Sequence, residues 1–283
     1  MRNQQNNLIA FAFIAAIWIP GQTSAADLEN AIAMRDVPTK GKFSVARVLG
    51  TDFDVGGNWA ESATETVAGA INIGSSTYAD GIAFTAPSQD FADVYNQPSS
   101  IGANVSYGLT STAEVFGGVH YTSASSNEFD AINIDTAGTI NGTAVAVNTV
   151  VTGKLDNYSE YGIDGGYRQF FRPGKQFRPY VSGSVGLKQV DEININLLHK
   201  ATAIRADDIR FYDSSLTYTL ALGLGFRFDA GPNIAVGMET GLKYAGDLDE
   251  GDGDISGVRS FTDTNNSGDK LDVPIMTRID IVF

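Results

Sequence analysis

The chain has 283 residues, 43% of them hydrophobic and 18% charged, a composition that suits a large folded domain and excludes a disordered chain. It has no cysteine and only two histidines, which excludes disulfides, thiolate metal sites, cysteine lipid anchors and a multi-histidine metal site. The formal net charge of −14 argues against nucleic acid as a partner.

The chain begins with residues 1–25, which are predicted to be a secretory signal peptide. Arg2 precedes a short apolar run from Leu8 to Pro20, and small residues follow as far as Ala25. A membrane helix would need about 20 apolar residues, more than this run supplies. We therefore expect secretion across the inner membrane and cleavage, which leaves a periplasmic N-terminal segment, 26–42, that is either a short helix or disordered.

After this segment the sequence alternates apolar and polar residues with period two. A first strand is predicted near Phe43–Gly50. In "SIGANVSYGLT" the side chains of Ile101, Val105 and Leu109 lie on one face, and small or polar residues lie on the other. Thr110–Thr112 is a short turn to a second alternating segment, so the pair is predicted to form a β-hairpin.

Two further hairpins follow, "YSEYGIDGGYRQF" with "QFRPYVSGSVGLK" and "SLTYTLALGLGFRF" with "IAVGMETGLKYA". The last strand places Val273, Ile275, Ile279, Ile281 and Phe283 on its apolar face. This makes eight strands, joined alternately by three short turns and by long polar regions at 51–98, 124–156, 190–213 and 246–271. In the first region, "GAINIGSS" and "GIAFTAP" are predicted to form either an extracellular hairpin or two further membrane strands, making ten.

The opposite faces of these strands carry charges that decide between the possible β folds. They are Glu114, Glu160, Asp164, Arg168, Arg178, Lys188, Arg227, Glu239, Lys243, Arg278 and Asp280. These eleven charges cannot line the dry core of a two-sheet sandwich without a large desolvation penalty. The reverse orientation would expose the apolar row from Leu216 to Phe228 to water. We therefore predict an all-β fold over 43–283, a transmembrane antiparallel up-and-down β-barrel with short periplasmic turns and long extracellular loops.

Together, the signal peptide, the eight alternating strands and the terminal "IDIVF" resemble the OmpA-like and opacity-protein-like (porin-family) outer-membrane barrels of Gram-negative bacteria. The resemblance covers about residues 43–283 and is most specific at the last strand. It implies a location in the cell outer membrane, in contact with lipid and lipopolysaccharide. It also implies that Ile279, Ile281 and Phe283 form the signal recognised by the barrel-assembly machinery.

The inward row of five acidic and six basic residues predicts an ion-paired lumen, because the interior of an eight-stranded barrel is filled by side chains. We expect a role in envelope structure or in surface interaction through the loops, with a small-solute porin or gated channel as the alternative. The long polar regions hold 23 of the 33 acidic residues and six basic ones. Divalent cations are therefore potential partners of the loops.

One of the long polar regions contains the spacing of a calcium-binding loop. Asp252, Asp254, Ser256 and Asp263 are placed like the oxygen ligands of such a loop. The match is incomplete, because the last ligand is an aspartate and the flanking helices are missing. We assign no metal to these residues.

A lipid-modifying enzyme is the second functional alternative. His120 is followed closely by Thr122 and Ser123, but it is in phase with the lumen, and spacing identifies no acidic partner. We interpret His120 as an internal hydrogen-bonded residue and His199 as a solvated loop residue. We therefore predict no enzymatic activity and no cofactor.

Overall fold

The structure is a computed structural model that describes residues 40–67, 71–73, 76–78, 82–140, 143–171, 175–200, 203–251, 264–265 and 268–283. The predicted signal peptide, residues 26–39 of the predicted periplasmic segment, and the four calcium-loop residues lie outside this part of the chain. Within it, no helix is long and apolar enough to cross a membrane.

The described part of the chain contains sixteen strands and one short helix. The strands are β1 (Phe43–Gly56), β2 (Ala63–Val67), β3 (Ile71–Ile73), β4 (Ser76–Tyr78), β5 (Ile82–Ala86), β6 (Ser99–Gly108), β7 (Ala113–Ala124), β8 (Glu128–Ile140), β9 (Thr143–Leu155), β10 (Tyr158–Phe170), β11 (Phe177–Val190), β12 (Ile193–His199), β13 (Ile204–Tyr212), β14 (Ser215–Asp229), β15 (Ile234–Ala245) and β16 (Lys270–Val282). The helix, α1, is Phe91–Val94.

Eight of these strands close into an antiparallel barrel, which confirms the predicted fold and strand number. The order is β1-β6-β7-β10-β11-β14-β15-β16, and β16 pairs with β1 to close the circle. Ser44 is opposite Val282, and the amide of Phe283 donates a 2.8 Å hydrogen bond to the carbonyl of Phe43. The last residues of the chain are therefore paired with the first residues of the barrel, which leaves no free strand edge in the wall.

The barrel wall has an apolar outer face and a polar inner face. Leu216 is 64% exposed and Leu222 is 71% exposed, and the other large apolar residues predicted for this row of β14 are also on the outer face. The intervening Thr217 and Thr219 are buried. Period-two alternation produces this separation, because successive side chains of a strand point to opposite sides of the sheet.

Outside the barrel, the long regions form a second sheet, where the sequence analysis expected polar loops. The strand order is β13-β12-β9-β8-β4-β3, and the pair β2–β5 joins it through β8. We call this sheet, α1 and the described residues within 57–98, 125–157, 191–214 and 246–269 the cap. The "GAINIGSS" and "GIAFTAP" strands belong to the cap, so the ten-stranded alternative is wrong.

The cap has an apolar core of its own. Trp59 is 1% exposed, and its ring packs against those of Phe91, Tyr95, Tyr158 and Tyr212 at centroid distances of 5.2, 5.4, 5.9 and 5.2 Å. Further residues of this core are Ala131, Ile132, Val151, Leu155, Ile193, Ile195, Leu197, Phe211 and Leu248. The few apolar residues of these long regions lie on one face of the sheet and are buried together, so the regions form strands with a core of their own.

Two barrel strands are longer than predicted. β1 continues to Gly56, beyond the predicted Gly50, and β16 begins at Lys270, before the predicted Val273. Both extensions are polar on their inward side and lie at the end of the barrel that faces the cap. They bring Asp52, Lys270 and Asp272 into the lumen, although Asp52 and Lys270 belong to regions that were predicted to be long polar loops.

Candidate functional site in the barrel lumen

The eleven predicted lumen residues all lie on inward strand faces. Eight of them are buried: Glu114, Glu160, Arg168, Arg178, Lys188, Arg227, Arg278 and Asp280. The side chains of Asp164, Glu239 and Lys243 are 21%, 12% and 16% exposed. The residues separate into two groups, one near the short turns and one near the cap.

The group near the turns, which we call the arginine cluster, consists of Glu114, Arg168, Arg178, Arg227, Asp229, Glu239, Arg278 and Asp280. Glu114 Oε1 lies 2.9 Å from Arg168 Nη1, and its Oε2 lies 3.5 Å from Arg227 Nη1. Asp229 Oδ1 accepts a 2.8 Å bond from Arg178 Nη2. Four arginines thus face four carboxylates, so the cluster is formally neutral.

Other contacts in the arginine cluster fix the carboxylate of Glu239. It accepts 2.7 Å hydrogen bonds from the hydroxyls of Tyr180 and Ser182, and its Oε2 lies 3.6 Å from Arg168 Nε. The guanidinium of Arg168 lies 3.7 Å from the centre of the Phe116 ring. Buried charges with this many partners are held in one arrangement, since losing any partner leaves a charge uncompensated.

The group near the cap, which we call the lysine cluster, consists of Asp52, His120, Glu160, Asp164, Lys188, Lys243, Lys270 and Asp272. Glu160 is its centre: Lys188 Nζ lies 3.2 Å from Oε2 and Lys243 Nζ lies 3.5 Å from Oε1. Lys243 also lies 3.6 Å from Asp52, and Lys270 lies 3.1 Å from Asp272. Three lysines and one histidine therefore face four carboxylates.

Several ion pairs join strands that are not neighbours in the wall. Glu114 on β7 reaches Arg227 on β14, Arg168 on β10 reaches Glu239 on β15, and Glu160 on β10 reaches Lys243 on β15. These contacts cross the interior. Between the two clusters lies a cavity of about 110 Å³, lined in part by His120, Asp164, Arg168, Glu239 and Lys243.

Four members of these clusters were not among the predicted lumen residues: Asp52, Asp229, Lys270 and Asp272. Asp229 is the last residue of β14 and directly follows the segment "SLTYTLALGLGFRF" that was predicted as this strand, whereas the other three lie on the strand extensions. The sequence does contain a signal for these four residues, because each lies an even number of positions from the inward residues of its strand and so points into the lumen. Asp272 precedes Arg278 and Asp280 at even intervals, for example.

Tyr158 connects the lysine cluster to the cap. Its ring is fully buried and lies 5.2 Å from the ring of Phe91, and its hydroxyl donates a 2.5 Å hydrogen bond to Glu160 and accepts one of 3.1 Å from Lys188. The ammonium of Lys270 lies 3.8 Å from the centre of the Phe91 ring. The apolar core of the cap is thus in direct contact with the charges of the lumen.

His120 faces the lumen, as its phase in the sequence predicts. Its Nδ1 lies 3.4 Å from Asp164 and its Nε2 lies 3.9 Å from Glu160. In register on either side are Gly102 and Gly162, and a Cβ at Gly162 would be 2.1 Å from His120 Nε2. The imidazole therefore lies flat against the wall in space that only glycine leaves open.

His199, by contrast, was wrongly interpreted as a solvated loop residue. It is the last residue of β12, is partly buried, and its Nε2 lies 2.8 Å from Thr149 Oγ1. In the described residues no group of three or more histidine or acidic side chains is arranged to hold a metal ion.

Two tyrosines in the cap have perturbed acidity. Burial raises the pKa of Tyr95 well above its ordinary value, and the nearby carboxylate of Asp156 acts in the same direction. Burial also raises the pKa of Tyr212, whose hydroxyl donates a hydrogen bond to the carbonyl of Trp59. Both hydroxyls are held neutral in the folded cap.

The chain is similar in fold to solved outer-membrane proteins, at low sequence identity. Neisserial surface protein A is 11% identical, with 86% of this chain and 99% of that chain covered and a TM-score of 0.39. OprG from Pseudomonas aeruginosa is 13% identical, with 86% of this chain and 96% of that chain covered and a TM-score of 0.37. The outer membrane protease OmpT from Escherichia coli is 13% identical, with 87% of this chain and 98% of that chain covered and a TM-score of 0.36. No protein-family model and no curated protein matches the sequence. The barrel assignment therefore stands on the strand pairing described above.

Proposed function

We propose that this protein is an outer-membrane β-barrel whose lumen is closed, and that it acts in envelope structure or in interactions at the cell surface. The observation that carries the proposal is the cross-lumen ion pairing beneath a cap with its own apolar core. An apolar outer wall and a charged, filled interior suit a barrel that lies in lipid without conducting.

The closure of the lumen has two layers. In the barrel, the arginine and lysine clusters connect opposite walls at several heights. At the end that faces the cap, Trp59, Phe91 and Tyr158 fill the exit with buried aromatic rings. A solute would have to separate buried charge pairs and also displace an apolar core.

The proposed orientation puts the short turns in the periplasm and the cap outside the cell. Short turns on the periplasmic side and long extracellular segments are the usual arrangement in such barrels. Ile279, Ile281 and Phe283 are 52%, 51% and 72% exposed on the outer wall at the turn end. They are placed to contact lipid and the barrel-assembly machinery, whose recognition signal we propose they form.

The contacts of His120 support a non-catalytic role. Its two acidic neighbours hold it as part of the lysine cluster, while Thr122 is buried on the same inward face and Ser123 lies on the opposite face. A His120→Ala variant should leave the lipid A profile of the cells unchanged. A changed profile would support the enzymatic alternative.

Conductance in planar bilayers tests the closed lumen directly. The purified, folded protein should give no reproducible current steps, and a porin of known conductance serves as the positive control. Reproducible steps from the wild-type barrel would contradict the proposal and support the alternative, a small-solute channel. Protease treatment of intact cells tests the orientation, because cleavage should occur in the cap and not at the short turns.

A further inference from the structure

The outer wall of the barrel contains a groove that the closed-lumen function does not use. It has a volume of about 680 Å³ and runs across β1, β6, β7, β10, β11 and β14. Its lining is mainly apolar: Ile101, Ala103, Val119, Tyr121, Tyr161, Ile163, Leu187 and Leu216, with Arg47 and Gln189 as the polar side chains on this face.

Arg47 is exceptional among the outward residues of the wall. All eight barrel strands are fully described, and Arg47 is the one charged side chain on their outer faces. It is exposed, between Val45 and Leu49, which are 44% and 46% exposed. Within the described part of the chain it has no hydrogen-bond or ion-pair partner.

The position of Arg47 places its charge within the apolar belt and near the turn end. It is four residues from Phe43, the first residue of β1, which corresponds to about 10 Å along the barrel axis for a tilted strand. An unpaired charge at this depth in hydrocarbon is unfavourable, and an arginine side chain is flexible enough to reach towards the nearer headgroups. A bound anion would supply the missing partner.

The groove leads away from Arg47 in the direction that a lipid tail would take. Ala103 is opposite Arg47 in the register and is shorter than its outward neighbours Ile101 and Val105, so it forms a low point in the wall. From there the lining rises diagonally to Leu216, the second residue of β14, at the opposite end of the barrel. The rings of Tyr121 and Tyr161, 4.9 Å apart, border its upper part.

From this arrangement we propose that the groove binds one phospholipid of the leaflet next to the short turns, with its phosphate at Arg47 and an acyl chain along the groove. The guanidinium suits phosphate, because its planar donors can bond two oxygens at once. The site is on the lipid side of the wall and is separate from the lumen. The proposal rests on the barrel lying in a bilayer.

Native mass spectrometry of the purified barrel in mild detergent, with phosphatidylglycerol added, tests this proposal. The wild-type protein should retain one phosphatidylglycerol, and a diacylglycerol with the same chains but no phosphate should not be retained. Arg47→Gln should weaken retention at least about tenfold, since it removes a charge-assisted hydrogen-bond donor. Ala103→Trp should do the same by filling the groove while keeping the charge.

Thr240→Trp is the matched control, because it adds the same side chain to an exposed outward position on β15, away from the groove. It should bind phosphatidylglycerol like the wild type. Equal retention of phosphatidylglycerol by all four proteins, no retention by the wild type, or retention of the diacylglycerol as strong as that of phosphatidylglycerol would overturn the proposal. Heat-dependent migration on gels shows whether each barrel is folded, so a failure of the barrel itself is distinguishable from loss of the lipid site.

Discussion

The barrel and the cap use the same alternating pattern with opposite results. Ile163 on β10 is 57% exposed on the outer wall, whereas Ile195 on β12 is 1% exposed in the core of the cap. Next to Ile163, Gly162 and Asp164 point into the barrel lumen. Next to Ile195, Asn194 and Asn196 point away from the core of the cap and are partly exposed. Period-two alternation therefore identifies a strand in both regions, and the residues on the polar face decide whether the apolar face contacts lipid or a protein core.

The largest expected effect comes from breaking a charge pair in the barrel. Glu114→Gln leaves Arg168 and Arg227 without their shared carboxylate in a buried site, so we expect the free energy of unfolding to fall by about 3–5 kcal/mol. The measurement is denaturant unfolding of the purified barrel in detergent.

The matched control for this substitution is Glu128→Gln in the cap. Glu128 pairs with Lys200 at 3.3 Å, but both side chains are more than half exposed, at 63% and 61%. This change should lower the free energy of unfolding by roughly 0–1 kcal/mol. If Glu114→Gln and Glu128→Gln had the same free energy of unfolding, the charges in the lumen would be as well solvated as those on the surface of the cap. That result would contradict a buried ion-pair network in the barrel.

A second comparison uses two isoleucines. Ile195→Ala removes buried side-chain volume from the cap core and should destabilise the cap by about 2–5 kcal/mol. Ile163→Ala removes the same atoms from a lipid-facing position. Its effect on the free energy of unfolding should be only roughly half a kcal/mol, the contribution of one isoleucine to membrane insertion. Limited proteolysis should therefore cut the cap of the first variant rapidly and leave the second like the wild type. Rapid cleavage of both, or of neither, would argue against a separate cap core.

The smallest effect concerns the cap tyrosines and pH. Burial raises the pKa of Tyr95 and Tyr212 in the folded cap, so the folded cap favours their neutral form. The contribution of these two neutral hydroxyls to the stability of the cap is complete below the ordinary tyrosine pKa of about 10, and it is lost as pH rises towards the raised values. The cap should thus become protease-sensitive above about pH 10.

Tyr212→Phe sharpens this test. It removes the hydrogen bond to the carbonyl of Trp59, which should lower the stability of the cap by about 1 kcal/mol near neutral pH. It also removes one of these two ionising hydroxyls and leaves that of Tyr95. The variant should lose less stability than the wild type between about pH 9 and pH 11. An unchanged alkaline dependence would mean that Tyr212 does not ionise on unfolding of the cap.

The sequence predicted the barrel well because each barrel strand carries a complete signal of its own. In β14 the row from Leu216 to Phe228 alternates with small and polar residues, and its inward Arg227 marks the opposite face. The same alternation predicted which charged residues point into the lumen. It could not predict which of them pair, because a contact such as that of Arg168 with Glu239 depends on the register of four strands.

The cap was missed for a physical reason. Its core joins residues that are far apart in the chain, for example Trp59 and Tyr212, and no single segment has enough apolar residues to indicate burial. Asp52 and Lys270 were misplaced for a related reason, because the polar ends of β1 and β16 resemble loop sequence until the closed barrel gives them partners.

The most direct test of the account is the environment of adjacent positions on β14. The chain has no cysteine, so single cysteines can carry a spin label at Leu220 and Leu222 on the outer face and at Thr219 and Ala221, which line the lumen cavity. In reconstituted bilayers, labels at Leu220 and Leu222 should collide strongly with oxygen and weakly with a water-soluble nickel chelate, and those at Thr219 and Ala221 weakly with both. Equal collision rates at all four positions, or stronger collision of the outer labels with the nickel chelate, would contradict a barrel with lipid outside and a filled lumen inside.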